Sequence, residues 1–264
     1  MTILESIFFG FLQGVTEFLP VSSSGHLAVS KNLLGLGSVP VLFDVLLHVA
    51  TLLVVLAVFR RKVLLLIMSL GSLFRKEKTD EQKSLHMTIL SILIATFFTA
   101  CIGLGLDKLD IQEAPRLVSV FFIVTAVLLF LPRFIKPKSA GGPGVKSGVI
   151  VGIAQGLGVI PGISRSGITI TASLLSGLSR EDAGEYAFLI SLPAILGALL
   201  LSLKDGGELM SQVSIPVMAV GFVTSFAVGL ASLLLLLRFV KKGKLYYFSY
   251  YLLPLGVIGL FAFS

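Results

Sequence analysis

The stretch Gln13-Gly-Val-Thr-Glu-Phe-Leu-Pro-Val-Ser-Ser-Ser-Gly-His26 decides how the rest of the chain is read. Gln13 and Glu17 stand four residues apart, so a helix presents them on one face. Pro20 cannot continue that helix, and three serines, Gly25 and His26 follow at once. This polar, breakable segment lies in a chain that is otherwise largely apolar. Of 264 residues, 55% are hydrophobic and 13% charged, with a mean hydropathy of +1.00, whereas soluble domains carry about 25% charged residues. Apolar runs repeatedly exceed about 17 residues, which suits helices crossing a hydrocarbon core about 30 Å thick and not the short alternating strands of a barrel. The expected fold is therefore an all-α integral membrane protein. An ionisable cluster at membrane depth marks a functional site, because a purely structural segment has no reason to bear the free-energy cost of each charge.

Residues 1 to 35 are predicted as two short helices around a break at about Pro20 to Gly25. At about 1.5 Å per residue the first reaches roughly 25 Å, short of a comfortable crossing, so a hairpin that enters and returns is expected. Broken backbone is tolerated at that depth only where it lines an enclosed or wet cavity, so the break itself predicts a pocket. Glu5 ahead of the apolar run, no leading basic cluster and polar residues from Gln13 onward argue against a cleavable signal. Full spans are expected at 41–59, 87–106 and 117–131, with an interfacial helix at 63–74. Prolines and glycines from Pro132 to Pro143 make the strongest break in the chain.

The pattern then restarts. Displaced by 142 residues, Gln13-Gly14 falls on Gln155-Gly156, while Ser22, Ser24 and Gly25 fall on Ser164, Ser166 and Gly167. Residues 145–178 predict a second broken hairpin, followed by spans at 186–203, 215–237 and 246–263. The chain is read as one membrane domain of two pseudo-repeats, about 1–132 and 145–264. Each repeat is a re-entrant helical hairpin plus three transmembrane helices, giving six full spans. Because three is odd, the second repeat is expected to be inverted, which brings the broken helices together near the midplane.

Net charge is +7, which in a soluble protein would raise nucleic acid as a partner; here the basic residues sit in loops. Sixteen lie on one predicted side and four on the other, so the positive-inside bias predicts a cytoplasmic location for the sixteen and external termini. Arg165 fits neither set, since it falls in the second break. Tyr246, Tyr247, Tyr250 and Tyr251 read as an interfacial aromatic belt. Cys101, the only cysteine, excludes an intrachain disulfide and reads as a small core residue. His86 is expected in solvent at a loop edge.

The segment Pro161-Gly-Ile-Ser-Arg-Ser-Gly-Ile-Thr169 has the composition of an oxyanion site. Glycine lets the backbone approach a ligand, a helix starting near Ser164 aims free N–H groups at it, and Arg165 adds a planar fork matched to phosphate oxygens. The alternative, Arg165 pairing with Glu17 to neutralise both, leaves the glycine- and serine-rich breaks around the two unexplained. Glu17 with Gln13 offers hard oxygen ligands for Mg²⁺ or Ca²⁺ bridging a phosphate, or equally a packing pair satisfied by serines across the hairpin. His26 reads as general acid, base or nucleophile, against a structural histidine. Asp44 and His48, a second i, i+4 pair inside a span, read as supports behind the same cavity.

These motifs resemble those of the undecaprenyl-diphosphate phosphatases of bacteria, also called bacitracin-resistance proteins. Gln13-Gly-Val-Thr-Glu17 matches the family's Glu/Gln-x-x-x-Glu, and Pro20-Val-Ser-Ser-Ser-Gly-His26 follows it directly. Pro161 to Thr169 matches Pro-Gly-x-Ser-Arg-Ser-x-x-Thr, and Phe43-Asp44 with His48 and Thr51 is similar to the family's next segment. Gln13 stands where many members have a second glutamate. The resemblance implies an enzyme of the bacterial inner membrane that hydrolyses a polyprenyl diphosphate to monophosphate and inorganic phosphate, so that the cell-wall carrier lipid is reused. It implies a divalent cation as cofactor and a site open to the outer face. On that reading Arg165 and the second break, with Gly162, Ser164, Ser166 and Thr169, hold the diphosphate, while Glu17 with Gln13 holds the metal. His26 moves a proton or attacks phosphorus, Ser22 and Ser24 position the head group, and Ser23 joins the catalytic set. Attack by serine, histidine or water stays open, and a homo-oligomer is compatible with the sequence.

Two rivals follow from the same features. Inverted repeats with broken helices also mark secondary transporters, so a polyprenyl-phosphate flippase or a carrier with a phosphate-binding centre is the alternative. A second membrane lipid-phosphatase family shares Ser-Gly-His but needs a histidine soon after Ser164-Arg165, and residues 166 to 180 contain none.

Overall fold

The computed structural model describes residues 1–33, 41–72, 77–106, 114–136, 141–205 and 213–263. Arg75, Lys76, Lys108 and Lys138, counted above among the loop charges, lie outside them, as do the side chains of Lys31 and Lys204. Among the described residues eleven α-helices follow one another: α1 (Ile3–Phe18), α2 (Ser23–Leu33), α3 (Val41–Val58), α4 (Arg60–Leu70), α5 (Asp80–Leu106), α6 (Pro115–Phe130), α7 (Val145–Leu157), α8 (Arg165–Ser176), α9 (Arg180–Asp205), α10 (Ile215–Lys241) and α11 (Ser249–Ala262). There is no strand among the described residues.

The boundaries have local causes. Thr2 and Glu5 form a reciprocal capping box at the start of α1, which satisfies two backbone donors that the first turn would otherwise leave open. That helix stops at Phe18, two residues before Pro20. The Oγ of Ser164 accepts from the Gly167 N–H at 3.2 Å and starts α8; Gly177, at φ +106°, ends it in the left-handed region that glycine enters without penalty. Helices α6 and α10 open with Pro115 and Pro216 in their first turns, where proline's missing N–H is no loss.

By length and composition, α5, α6, α9, α10 and α11 can each cross a bilayer, the second and last with the short 3-10 turns that flank them. A sixth candidate joins α3 to α4 across a bend of 79°. The interfacial helix expected at 63–74 thus begins earlier, at Arg60, and exposes Leu64, Ile67 and Met68.

Each broken segment's first helix packs against a long helix from the other half of the chain: α1 against α10 and α7 against α5. Rows of small residues make this possible. A Cβ added to Gly10 would lie 2.6 Å from the Gly221 carbonyl oxygen, and one added to Gly152 would lie 2.6 Å from the Ala95 Cα. Where lipid removes the hydrophobic drive between helices, close backbone approach and interhelical hydrogen bonds hold them together instead. Ser6 Oγ donates to the Val217 carbonyl at 2.6 Å, and Thr99 Oγ1 to the Gly152 carbonyl at 3.2 Å. Helices α6 and α11 pair, and α3 lies against α9 and α10.

Two expectations change here. Cys101 is exposed on α5 and is not a core residue. His86 is half-buried, its Nε2 within 2.9 Å of the Ser69 carbonyl and 3.0 Å of Ser72 Oγ, so it ties α5 to the end of α4.

Candidate active site

The break between α1 and α2 meets the break between α7 and α8. The Gly162 N–H donates to Ser22 Oγ at 3.0 Å, and the Gly162 carbonyl accepts from Thr125 Oγ1 on α6 at 2.9 Å. Ser22 holds φ at +69°, rare for a residue with a side chain, and its Oγ also accepts from the Gly25 N–H at 3.4 Å. A serine kept in that conformation indicates surroundings that over-determine it, as at many functional sites. Gly162 lies at φ +96°, with no room for a Cβ beside the Val118 carbonyl.

This clamp sets Glu17, the last polar residue of α1, beside the start of α8. Glu17 Oε1 lies 4.0 Å from Arg165 Nη1. Its other oxygen accepts from Ser23 Oγ at 2.7 Å and from Gln13 Nε2 at 3.1 Å. Gln13 Nε2 also faces His48 Nδ1 at 3.1 Å, and since an amide N–H₂ only donates, that nitrogen accepts. The Glu17 side chain is 9% exposed and that of Arg165 32%, so the arginine reaches from the wetter side. Ser166, Thr169, Thr51 and Ser191 complete the polar lining of a cavity that Phe18, Val55 and Phe188 wall off. The cavity measures about 20 Å³, enough for about one water.

Of the residues singled out in the sequence, Glu17, Arg165, Ser166 and Thr169 line this cavity, and Gln13, Ser23 and His48 bond to it or flank it. Ser22 and Gly162 clamp the two breaks to each other, and Ser164 caps α8 while its Oγ lies 3.2 Å from Ser166 Oγ. Ser24 is exposed, with its Oγ 3.5 Å from that of Ser22. Asp44 sits one turn before His48 on α3 and is half-buried. His26 is not among the lining residues. Its Nδ1 lies 2.8 Å from the Ser22 carbonyl and its Nε2 2.8 Å from the Tyr251 hydroxyl on α11. Tyr251, read as part of an aromatic belt, and Ser191 are the contributors the sequence did not single out for this region, whereas Thr51 belongs to the motif quoted above with Asp44 and His48. Nothing in the pattern of α9 or α11 distinguishes them from other small or aromatic residues of an apolar helix.

The donor set fits a divalent cation in one way only. Among the described residues no three His, Cys, Asp or Glu side chains come together as metal ligands. The Oε1 of Gln13, however, is fully buried with no hydrogen-bond partner, on the side chain whose Nε2 bonds the Glu17 carboxylate. One carboxylate and one free amide oxygen suit a hard cation that keeps waters and takes its remaining ligands from a phosphate.

The family model described as "Bacitracin resistance protein BacA" matches residues 6–258. A curated undecaprenyl-diphosphatase of Treponema denticola is 45% identical over 97% of this chain and 96% of its own length. One from Borrelia recurrentis is 44% identical over 95% of each chain, and undecaprenyl-diphosphatase 2 of Halalkalibacterium halodurans is 35% identical over 100% and 97%. With the model matched over nearly its whole length and such relatives end to end, the chain belongs to the bacitracin resistance protein BacA family.

Proposed function

We propose that this protein is an undecaprenyl-diphosphatase, hydrolysing the lipid diphosphate to the monophosphate and inorganic phosphate in the bacterial inner membrane. The observation that carries the reading is the meeting of Glu17 and Arg165, from separate breaks, at one cavity in an apolar chain. Purified protein in detergent, given undecaprenyl diphosphate with Mg²⁺ or Ca²⁺, releases inorganic phosphate if the reading holds. Binding without release would favour the flippase or carrier instead.

The prenyl tail stays in lipid while the head group displaces Glu17 as the partner of Arg165. The guanidinium fork and the hydroxyls of Ser166 and Thr169 bind phosphate oxygens, and because they are fixed before reaction they stabilise the charge that develops as the phosphoanhydride bond breaks. Glu17, released from Arg165 and still held by Ser23, lies with Gln13 where a metal would bind; that cation would supply charge neutralisation on the leaving phosphate. Ser23 and His26 remain the protein's candidate nucleophiles, beside water, with His26 also the candidate acid–base group. Ser22 and Gly162 fix the distance between the two breaks, and Asp44 and His48 support α1 from α3.

The packing of α1 on α10 and α7 on α5, with α6 on α11, is what two pseudo-repeats exchanging their first helices would give. It supports the re-entrant hairpins and inverted topology proposed from the sequence, in one membrane domain; the loop charge bias is what argues for both termini outside.

A further inference from the structure

We propose that Tyr251 is a positioning residue for His26, holding its imidazole in one plane and its Nε2 in one hydrogen bond; the inference rests on the diphosphatase reading above. The Ser22 carbonyl, 2.8 Å from His26 Nδ1, can only accept a hydrogen bond. Nδ1 therefore carries the proton, and in the neutral ring Nε2 presents a lone pair. The Tyr251 hydroxyl, 2.8 Å from Nε2, donates to it. The two rings stack at a centroid distance of 5.7 Å and an interplanar angle of 16°, and Phe122 closes the other flank at 5.1 Å. Ser22 is itself held at positive φ by its bonds to Gly25 and Gly162, so the carbonyl that sets the tautomer belongs to the clamp between the two breaks. Of the four tyrosines between 246 and 251, the others are engaged elsewhere: Tyr246 and Tyr250 pack on Phe130, and Tyr247 on Phe239. Tyr251 alone among them touches His26. His26 can take or give a proton at Nε2 only when this hydroxyl turns away or relays it, so Tyr251 sets both the orientation of the ring and the availability of its reactive nitrogen.

The test uses the full chain in detergent micelles with ¹⁵N-labelled histidine. The chain has three histidines, and the His26 ring signals are those lost in His26→Asn. The parent is expected to show the Nδ1–H tautomer. Tyr251→Phe keeps the ring and its half-exposed packing, so the fold is retained; Nδ1 should keep its proton, while the His26 Nε2 signal should move as its hydrogen-bond donor is lost. In the same variant kcat should fall about tenfold, a fraction of the effect of general acid–base groups, with KM little changed, while Tyr250→Phe leaves both alone. Unmoved His26 signals would overturn the contact, and moved signals at unaltered kcat would overturn its role in the reaction. Failure of the diphosphatase reading itself is separate and visible in the parent as no phosphate release.

Discussion

Removing the Arg165 guanidinium is the sharpest perturbation of the proposed chemistry. Its Nη1 lies 4.0 Å from Glu17 Oε1, and two unit charges at that distance attract by about 4 kcal/mol at an effective dielectric constant of 20. This is a gross attraction, reduced because the arginine side chain is a third exposed, but it sets the scale of what the same group offers an incoming phosphate. Loss of one fixed donor to a developing oxyanion typically costs 10²- to 10³-fold in kcat, or about 3–4 kcal/mol. Arg165→Ala should therefore lower turnover roughly a hundredfold to a thousandfold. Arg165→Lys, which keeps a point charge but loses the planar fork, should fall between variant and parent. Phosphate release from undecaprenyl diphosphate measures turnover, and circular dichroism with size-exclusion chromatography checks the fold. A well-folded Arg165→Ala protein turning over at close to the parental rate would refute the role given to this residue.

Glu17→Ala should lower turnover by roughly a hundredfold or more, again judged by phosphate release from folded protein. Gln13→Glu adds a second carboxylate beside Glu17, so it should lower the Mg²⁺ or Ca²⁺ concentration needed for half-maximal rate and enlarge the rise in Tm that the ion causes. Gln13→Ala should do the opposite in the same titration. Gly152→Ala forces a methyl against the Ala95 backbone and should destabilise by about 1–3 kcal/mol. Gly197→Ala, with nothing within 4 Å of its Cβ, should instead gain about 0.5–1 kcal/mol of helix stability; thermal unfolding in detergent compares the two. Ser22→Ala leaves the buried Gly162 N–H without its acceptor and should cost about 1–3 kcal/mol in the same assay.

Most of the helix order was readable because apolar run length and proline placement act locally. Glu17 and Arg165 stood out for a related reason: a charge inside oil is expensive, so the sequence retains few. The start of α4 was read three residues late. Arg60, Arg61 and Lys62 look like the loop that closes α3, and cations at a helix N-terminus oppose its dipole, yet they form the first turn of the next helix. Cys101 was misplaced because a membrane helix is apolar on both its lipid face and its core face, so periodicity does not tell the two apart. Ser22 stood out as one of three serines expected at the head group and Tyr251 as part of an aromatic belt, but what each does in the structure was beyond reach for another reason. One is special through a backbone angle and the other through a contact 225 positions away, and neither leaves a trace in local composition.

The pairing of α1 with α10 also constrains how the chain is made. Ser6 meets Val217, 211 positions later, and a ribosome adding about 5–20 residues per second needs roughly 10–40 seconds to cover that gap. Throughout that interval the flank of α1 that carries Gly10 and Gly14 has no mate. The nascent hairpin must then wait in the insertion machinery or at the bilayer surface, and a ribosome that stalls before α10 emerges leaves that flank facing lipid. Synthesis of a chain truncated ahead of residue 215 should accordingly yield a product that quality-control proteases clear quickly.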